Sequence, residues 1–159
     1  CNQVIGNTGP KAVDRGQFFE DLWKGYCKHG ICGAATMPFS QRFDPIAAPS
    51  ERAVKSKQEM QRHTFVWRDI TGPGVEDEVV VAEARSVLAR GWPLLAGSTH
   101  SLLVVGYVDQ PRGGFFIVAD SGAGTFIDKV TGDRLHSAIP YARVKDYGFS
   151  WIECLNSPQ

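Results

Sequence analysis

This chain of 159 residues has little sulfur and no surplus of charge: two methionines, four cysteines, and 17 lysines and arginines against 17 aspartates and glutamates. A formal net charge of zero removes the electrostatic case for nucleic acid or an anionic membrane surface as partner. No apolar run approaches the roughly 18 residues that a membrane-crossing helix needs. Internal repeats and low-complexity tracts are missing as well. The chain opens on Cys1 rather than Met, with no signal-like apolar run, and this predicts a cut or processed piece of a longer protein.

Cysteine usage is equally sparse in pattern. No repeated Cys-x-x-Cys pair occurs, and four cysteines allow three full disulfide connectivities among which the sequence does not choose. The segment Cys27-Lys28-His29-Gly30-Ile31-Cys32 offers three soft ligands, whereas a tetrahedral zinc site needs a fourth. No metal and no cofactor is expected.

What is present suffices for a compact core, since 43% of the residues are hydrophobic. Asp14 and Gln17 read as a capping box, after which Phe18, Phe19, Leu22, Trp23 and Tyr26 share one helical face until Gly30. Residues 38–49 are rich in Pro, Ser and Ala and read as a connection. A charged, solvated helix or helical turn is expected over about Ser50–Met60, a strand over Thr64–Ile70, and a helix over Asp77–Arg90 with Val80, Ala84, Val87 and Leu88 on its apolar side and Gly91 as its stop. Strands dominate from there to Leu155. Helices first and antiparallel strands later predict an α+β fold.

The richest segment is Ser98-Thr99-His100-Ser101-Leu102-Leu103-Val104-Val105-Gly106-Tyr107, followed by Gly114-Phe115-Phe116-Ile117-Val118-Ala119-Asp120. Two apolar runs flank Asp109-Gln110-Pro111-Arg112-Gly113, which predicts a hairpin with a loop of about five residues. If Tyr107 pairs with Gly113, antiparallel counting sets His100 directly opposite Asp120. Cross-strand Cβ atoms lie roughly 4.5–5.5 Å apart, so the imidazole and the carboxylate can meet as a base and its orienting group. The same pair also fits a plain ion pair at the end of a sheet. His29 at a helix end, and His63 and His136 in polar surroundings, carry less signal.

The order Gly91-Trp92-Pro93, then Thr99-His100-Ser101 leading into Val104-Val105-Gly106-Tyr107, then Phe116-Ile117-Val118-Ala119-Asp120-Ser121-Gly122, resembles the second half of papain-like cysteine peptidases. There a Gly-x-Pro-Val strand precedes a His-Ala-Val-x-x-Val-Gly-Tyr strand, and a third strand ends in Asn-Ser-Trp-Gly or Asp-Ser-x-Gly. Upstream, Cys1-Asn2-Gln3, Gly16-Gln17-Phe18-Phe19, Lys28-His29-Gly30-Ile31-Cys32 and Met37-Pro38-Phe39 follow the order of that family's stretch after the nucleophile. The resemblance implies that His100 is the catalytic histidine and that Asp120 fills the place of the orienting Asn. It implies a partial papain-like domain over residues 1–159, with a helical remainder over about 1–49 and a strand-rich lobe over about 61–155.

The chain departs from the family at three places. The Gly-x-Cys-Gly-Ser-Cys-Trp segment with its oxyanion-hole Gln is missing, no Trp follows Ser121, and only about six residues separate Pro93 from His100. None of the cysteines fits the nucleophile's place well: Cys32 is followed by barely one turn before Pro38, Cys27 falls near a helix end, and Cys154 ends the last strand. Cys1, whose α-amino group could serve as an internal base, would leave His100 and Asp120 unexplained. The expectation is therefore a peptide-bond hydrolase whose nucleophile lies outside this chain, with a peptide or protein substrate and a missing upstream segment or companion chain as partner. Two alternatives stay open: a catalytically silent papain-like module that binds peptide or a partner protein, and a transglutaminase-like acyl transferase. By resemblance, the compartment is secretory or lysosome-like, where disulfides form.

Overall fold

The computed structural model describes residues 18–33, 35–37, 48–120, 126–127, 134–135 and 137–156. Cys1, the Asp14–Gln17 capping box, most of the 38–49 connection, Ser121, Gly122 and His136 lie outside the described residues. The chain divides into two compact units, residues 1–65 with 154–159, and Val66–Glu153.

In the first unit, helix α1 (Phe19–His29) ends at Gly30, whose φ of 69° is left-handed and whose N–H donates to the Tyr26 carbonyl at 2.6 Å. A Cβ added at Gly30 would stand 2.9 Å from Lys57 Cγ, so glycine also permits the close approach of helix α2 (Glu51–Met60). Ser50 caps α2 by accepting from the Ala53 N–H at 3.2 Å. Gly33 donates its N–H to Ser56 Oγ at 3.0 Å. Trp23 stacks on Tyr26, which meets Phe65 edge-on at 5.7 Å. Of the apolar face read from the sequence, Tyr26 packs on Phe65, whereas Phe18 stays 81% exposed.

The six-stranded sheet, which apart from Phe65 and Cys154 lies in the second unit, is built on strands β1 (Phe65–Asp69), β2 (Leu94–Gly97), β3 (Ser101–Gln110), β4 (Gly113–Ala119), β7 (Ser137–Pro140) and β8 (Gly148–Cys154), with β5 (Phe126–Ile127) and β6 (Arg134–Leu135) forming a separate two-stranded ladder. The sheet order is β1-β8-β2-β3-β4-β7. Pairings β8–β2, β2–β3, β3–β4 and β4–β7 are antiparallel. Ile70 donates to Phe149 and Arg68 Nε reaches Glu153 at 2.8 Å, so β1 and β8 run in opposite directions too. Helices with a six-stranded antiparallel sheet make the fold α+β.

Helix α3 (Asp77–Ala89) covers one face of that sheet, because Val80, Ala84 and Val87 recur at helical spacing and are buried. They pack with Leu94, Ala96, Val104, Phe116, Val118, Ile139, Phe149 and Trp151, joined by Val144 from the 3₁₀ segment Tyr141–Asp146. Alternation on each strand sends these residues to the helix side. Their neighbours Leu103, Val105 and Val108 stay exposed on the other face.

Candidate functional site

The β2–β3 connection is three residues long. Gly97 pairs with Ser101, and the Ser98 N–H donates to the His100 carbonyl at 3.2 Å, closing Ser98-Thr99-His100 into a tight loop. His100 therefore leads into β3 rather than lying within it. Asp120 follows the last residue of β4, two positions after the fully buried Val118. Both residues stand at the same end of the β3–β4 pair, at the rim of the core.

There they meet. His100 Nε2 lies 2.6 Å from Asp120 Oδ1, with side-chain exposures of 48% and 16%. That distance is just shorter than the roughly 2.7–2.9 Å of charge-assisted N–H···O bonds. An ionised carboxylate only accepts, so the Nε2 proton must be the one shared. A neutral imidazole held this way carries its lone pair on Nδ1. Asp120 is anchored beside the core while the imidazole is half exposed.

The pair forms by a different register from the one counted on the sequence. Gln110 pairs with Gly113 and Tyr107 with Phe116, so the loop is the two residues Pro111 and Arg112 rather than five. Asp109 and Gln110, read from sequence as turn material, belong to the strand. Asp109 is held there because its carboxylate accepts from Tyr141 Oη at 2.9 Å and from Arg85 Nη2 at 2.7 Å. Those partners are remote in sequence and invisible to a local reading. Beyond Gly106 the register slips by one, to Val104 with Val118 and Leu103 with Ala119. Continued one step, it sets Asp120 opposite Leu102, and His100 reaches it diagonally from two residues earlier. The contact was expected; its direct pairing is corrected.

Other candidates fall elsewhere. Cys27 lies in the last turn of α1, where the helix dipole disfavours a thiolate, Cys32 follows the helix in irregular backbone, and Cys154 closes β8. Among the described residues no group of three or more His, Cys, Asp or Glu is placed to hold a metal ion, and Cys27, His29 and Cys32 form no such group. His63 turns Nδ1 to the Asn156 carbonyl at 3.4 Å and leans on Phe65, a structural placement. Among the described residues no helix is long and apolar enough to cross a membrane. Comparisons with protein-family models, curated proteins and solved structures find no match for this chain.

Proposed function

We propose that this chain is the histidine-bearing portion of a papain-like cysteine peptidase, with His100 as general base and acid and Asp120 as the group that orients it. The observation that carries the reading is the 2.6 Å contact from Nε2 to the carboxylate, which leaves Nδ1 as the basic nitrogen of a half-exposed imidazole. In this reading Nδ1 takes the proton of a cysteine thiol. The thiolate sulfur adds to a peptide carbonyl carbon, the C–N bond breaks, and the imidazolium returns its proton to the departing amine. Water, deprotonated by the same nitrogen, then cleaves the thioester and frees the thiol. Asp120 keeps one tautomer in place through both steps and stabilises the imidazolium between them.

The thiol is supplied, in this proposal, by a segment beyond the chain. A helix-opening cysteine would suit the chemistry, and Cys27, Cys32 and Cys154 hold other positions. The test is hydrolysis of a fluorogenic peptide library by the full-length protein under reducing conditions. Thiol-reagent-sensitive turnover is expected, falling roughly 10²–10⁴-fold in His100→Ala, the usual worth of a positioned base. Turnover indifferent to His100, or none under any condition, would contradict the reading. Stoichiometric epoxide labelling of Cys1 or Cys32 with turnover by the 159-residue chain would place the nucleophile inside it.

A further inference from the structure

We propose that Val105 is a positioning residue for the His100–Asp120 pair, acting as the extra residue of a β-bulge that turns the first half of β3 over. Its functional meaning rests on the peptidase reading above; its geometric content does not. Val104 pairs with Val118 and Gly106 with Ile117, so Val105 has no cross-strand partner. Gly106 lies on the outer face, since a Cβ built there would meet Ile117 Cδ1 at 3.4 Å. Val105 is 44% exposed and Val104 fully buried, so Val105 and Gly106 are consecutive residues on one face, opposite the single residue Ile117. That is the signature of a bulge.

Because side chains alternate with a period of two, one inserted residue inverts the facing of everything beyond it. Tyr107, paired with Phe116, is on the core side. Unbroken alternation from Tyr107 would put Val105, Leu103 and Ser101 on the core side and Leu102 on the outer face, so the loop that carries His100 would join a strand of inverted facing. With the bulge, Val104 and Leu102 face the core, the side that β4 gives to Phe116 and Val118, and the loop that leads into β3 delivers His100 to Asp120 there. Hydrophobicity does not decide between the two arrangements, because Leu102, Leu103, Val104 and Val105 are all apolar and either face could be buried. The extra residue makes the choice.

The contribution is one of residue count, not of side chain, and this separates it from ordinary packing. The test uses the full 159-residue chain with ¹⁵N-labelled histidine, comparing wild type, Val105→Ala, deletion of Val105 and Asp120→Ala by imidazole NMR. Val105→Ala should leave the His100 signals and their hydrogen-bonded proton in place. The deletion should give a folded chain whose His100 signals match those of Asp120→Ala. A folded deletion variant that keeps the wild-type imidazole signature would overturn the proposal. Should the deletion fail to fold, backbone NOEs in wild type and Val105→Ala decide: Val104–Val118 and Leu103–Ala119 contacts support the bulge, and an uninterrupted register alongside an intact His100–Asp120 contact refutes it. Hydrolysis enters none of these readouts, so failure of the peptidase reading remains a separate result.

Discussion

Tyr141 gives the sharpest handle on what holds the hairpin behind the site. Its hydroxyl donates to Asp109 on β3, Arg85 from α3 binds the other carboxylate oxygen, and the same guanidinium lies 5.3 Å above the Tyr107 ring. Desolvation first, then the hydrogen bond to the Asp109 carboxylate and its charge, push the Tyr141 hydroxyl from 10.0 up to about 12, while Arg85 pulls the other way. Two substitutions should therefore move it in opposite directions. Asp109→Asn removes the negative charge and lowers the inflection, which stays above the ordinary phenol value because desolvation persists. Arg85→Met removes the positive charge and raises it. The assay is tyrosinate absorbance against pH, with Tyr141→Phe subtracted to isolate the one ring. The linkage has a definite sign: the folded state holds this proton more tightly, so its stabilising effect is complete below pH 10 and is lost as pH climbs through 12. Urea midpoints should accordingly fall more steeply across that window in wild type than in Tyr141→Phe. An inflection at the ordinary value, or shifts of the same sign in both variants, would refute this picture of the three-element knot.

Further outcomes follow from packing. A Cβ at Gly114 would stand 2.5 Å from the Val108 carbonyl oxygen and from Tyr141 Cε2, so Gly114→Ala should cost about 1–3 kcal/mol, read as a lower thermal midpoint and a weakened Tyr141–Asp109 bond. Phe116, fully buried between Tyr141 and Phe149, should cost about 3–5 kcal/mol as Phe116→Ala in urea unfolding. Ser50→Ala, which removes the cap of α2, should cost about 0.5–2 kcal/mol. His100→Ala should change unfolding free energy by no more than about 1 kcal/mol, since the pair is partly exposed, so a large activity loss in the full-length protein would be chemical rather than structural.

Periodicity made the helices legible. The Val80, Ala84 and Val87 stripe, and Ser50 and Gly91 at its helices' ends, stand where the sequence puts them, and β1 covers most of the expected strand. The meeting of His100 and Asp120 was also readable, because two strands joined by a short turn must bring their far ends together. The details of the hairpin were not. Asp109 and Gln110 have the composition of a turn, yet both pair with β4, and Arg85 and Tyr141, placed by other elements, hold the Asp109 carboxylate. The bulge at Val105 was hidden for another reason: in an unbroken apolar run, alternation carries no phase. The pair survives the wrong count because a long imidazole reaches a diagonal neighbour.

The central claim is that Asp120 holds the His100 imidazole with its proton on Nε2 and its lone pair on Nδ1. The direct measurement is the tautomer of His100 in ¹⁵N-histidine-labelled protein, read from long-range nitrogen–proton correlations at a pH where the ring is neutral. The account predicts a protonated Nε2 and a bare Nδ1 in the wild type, with the preference surviving Asp120→Asn and lost in Asp120→Ala. A proton on Nδ1, or a tautomer mixture that Asp120→Ala leaves unchanged, would contradict it.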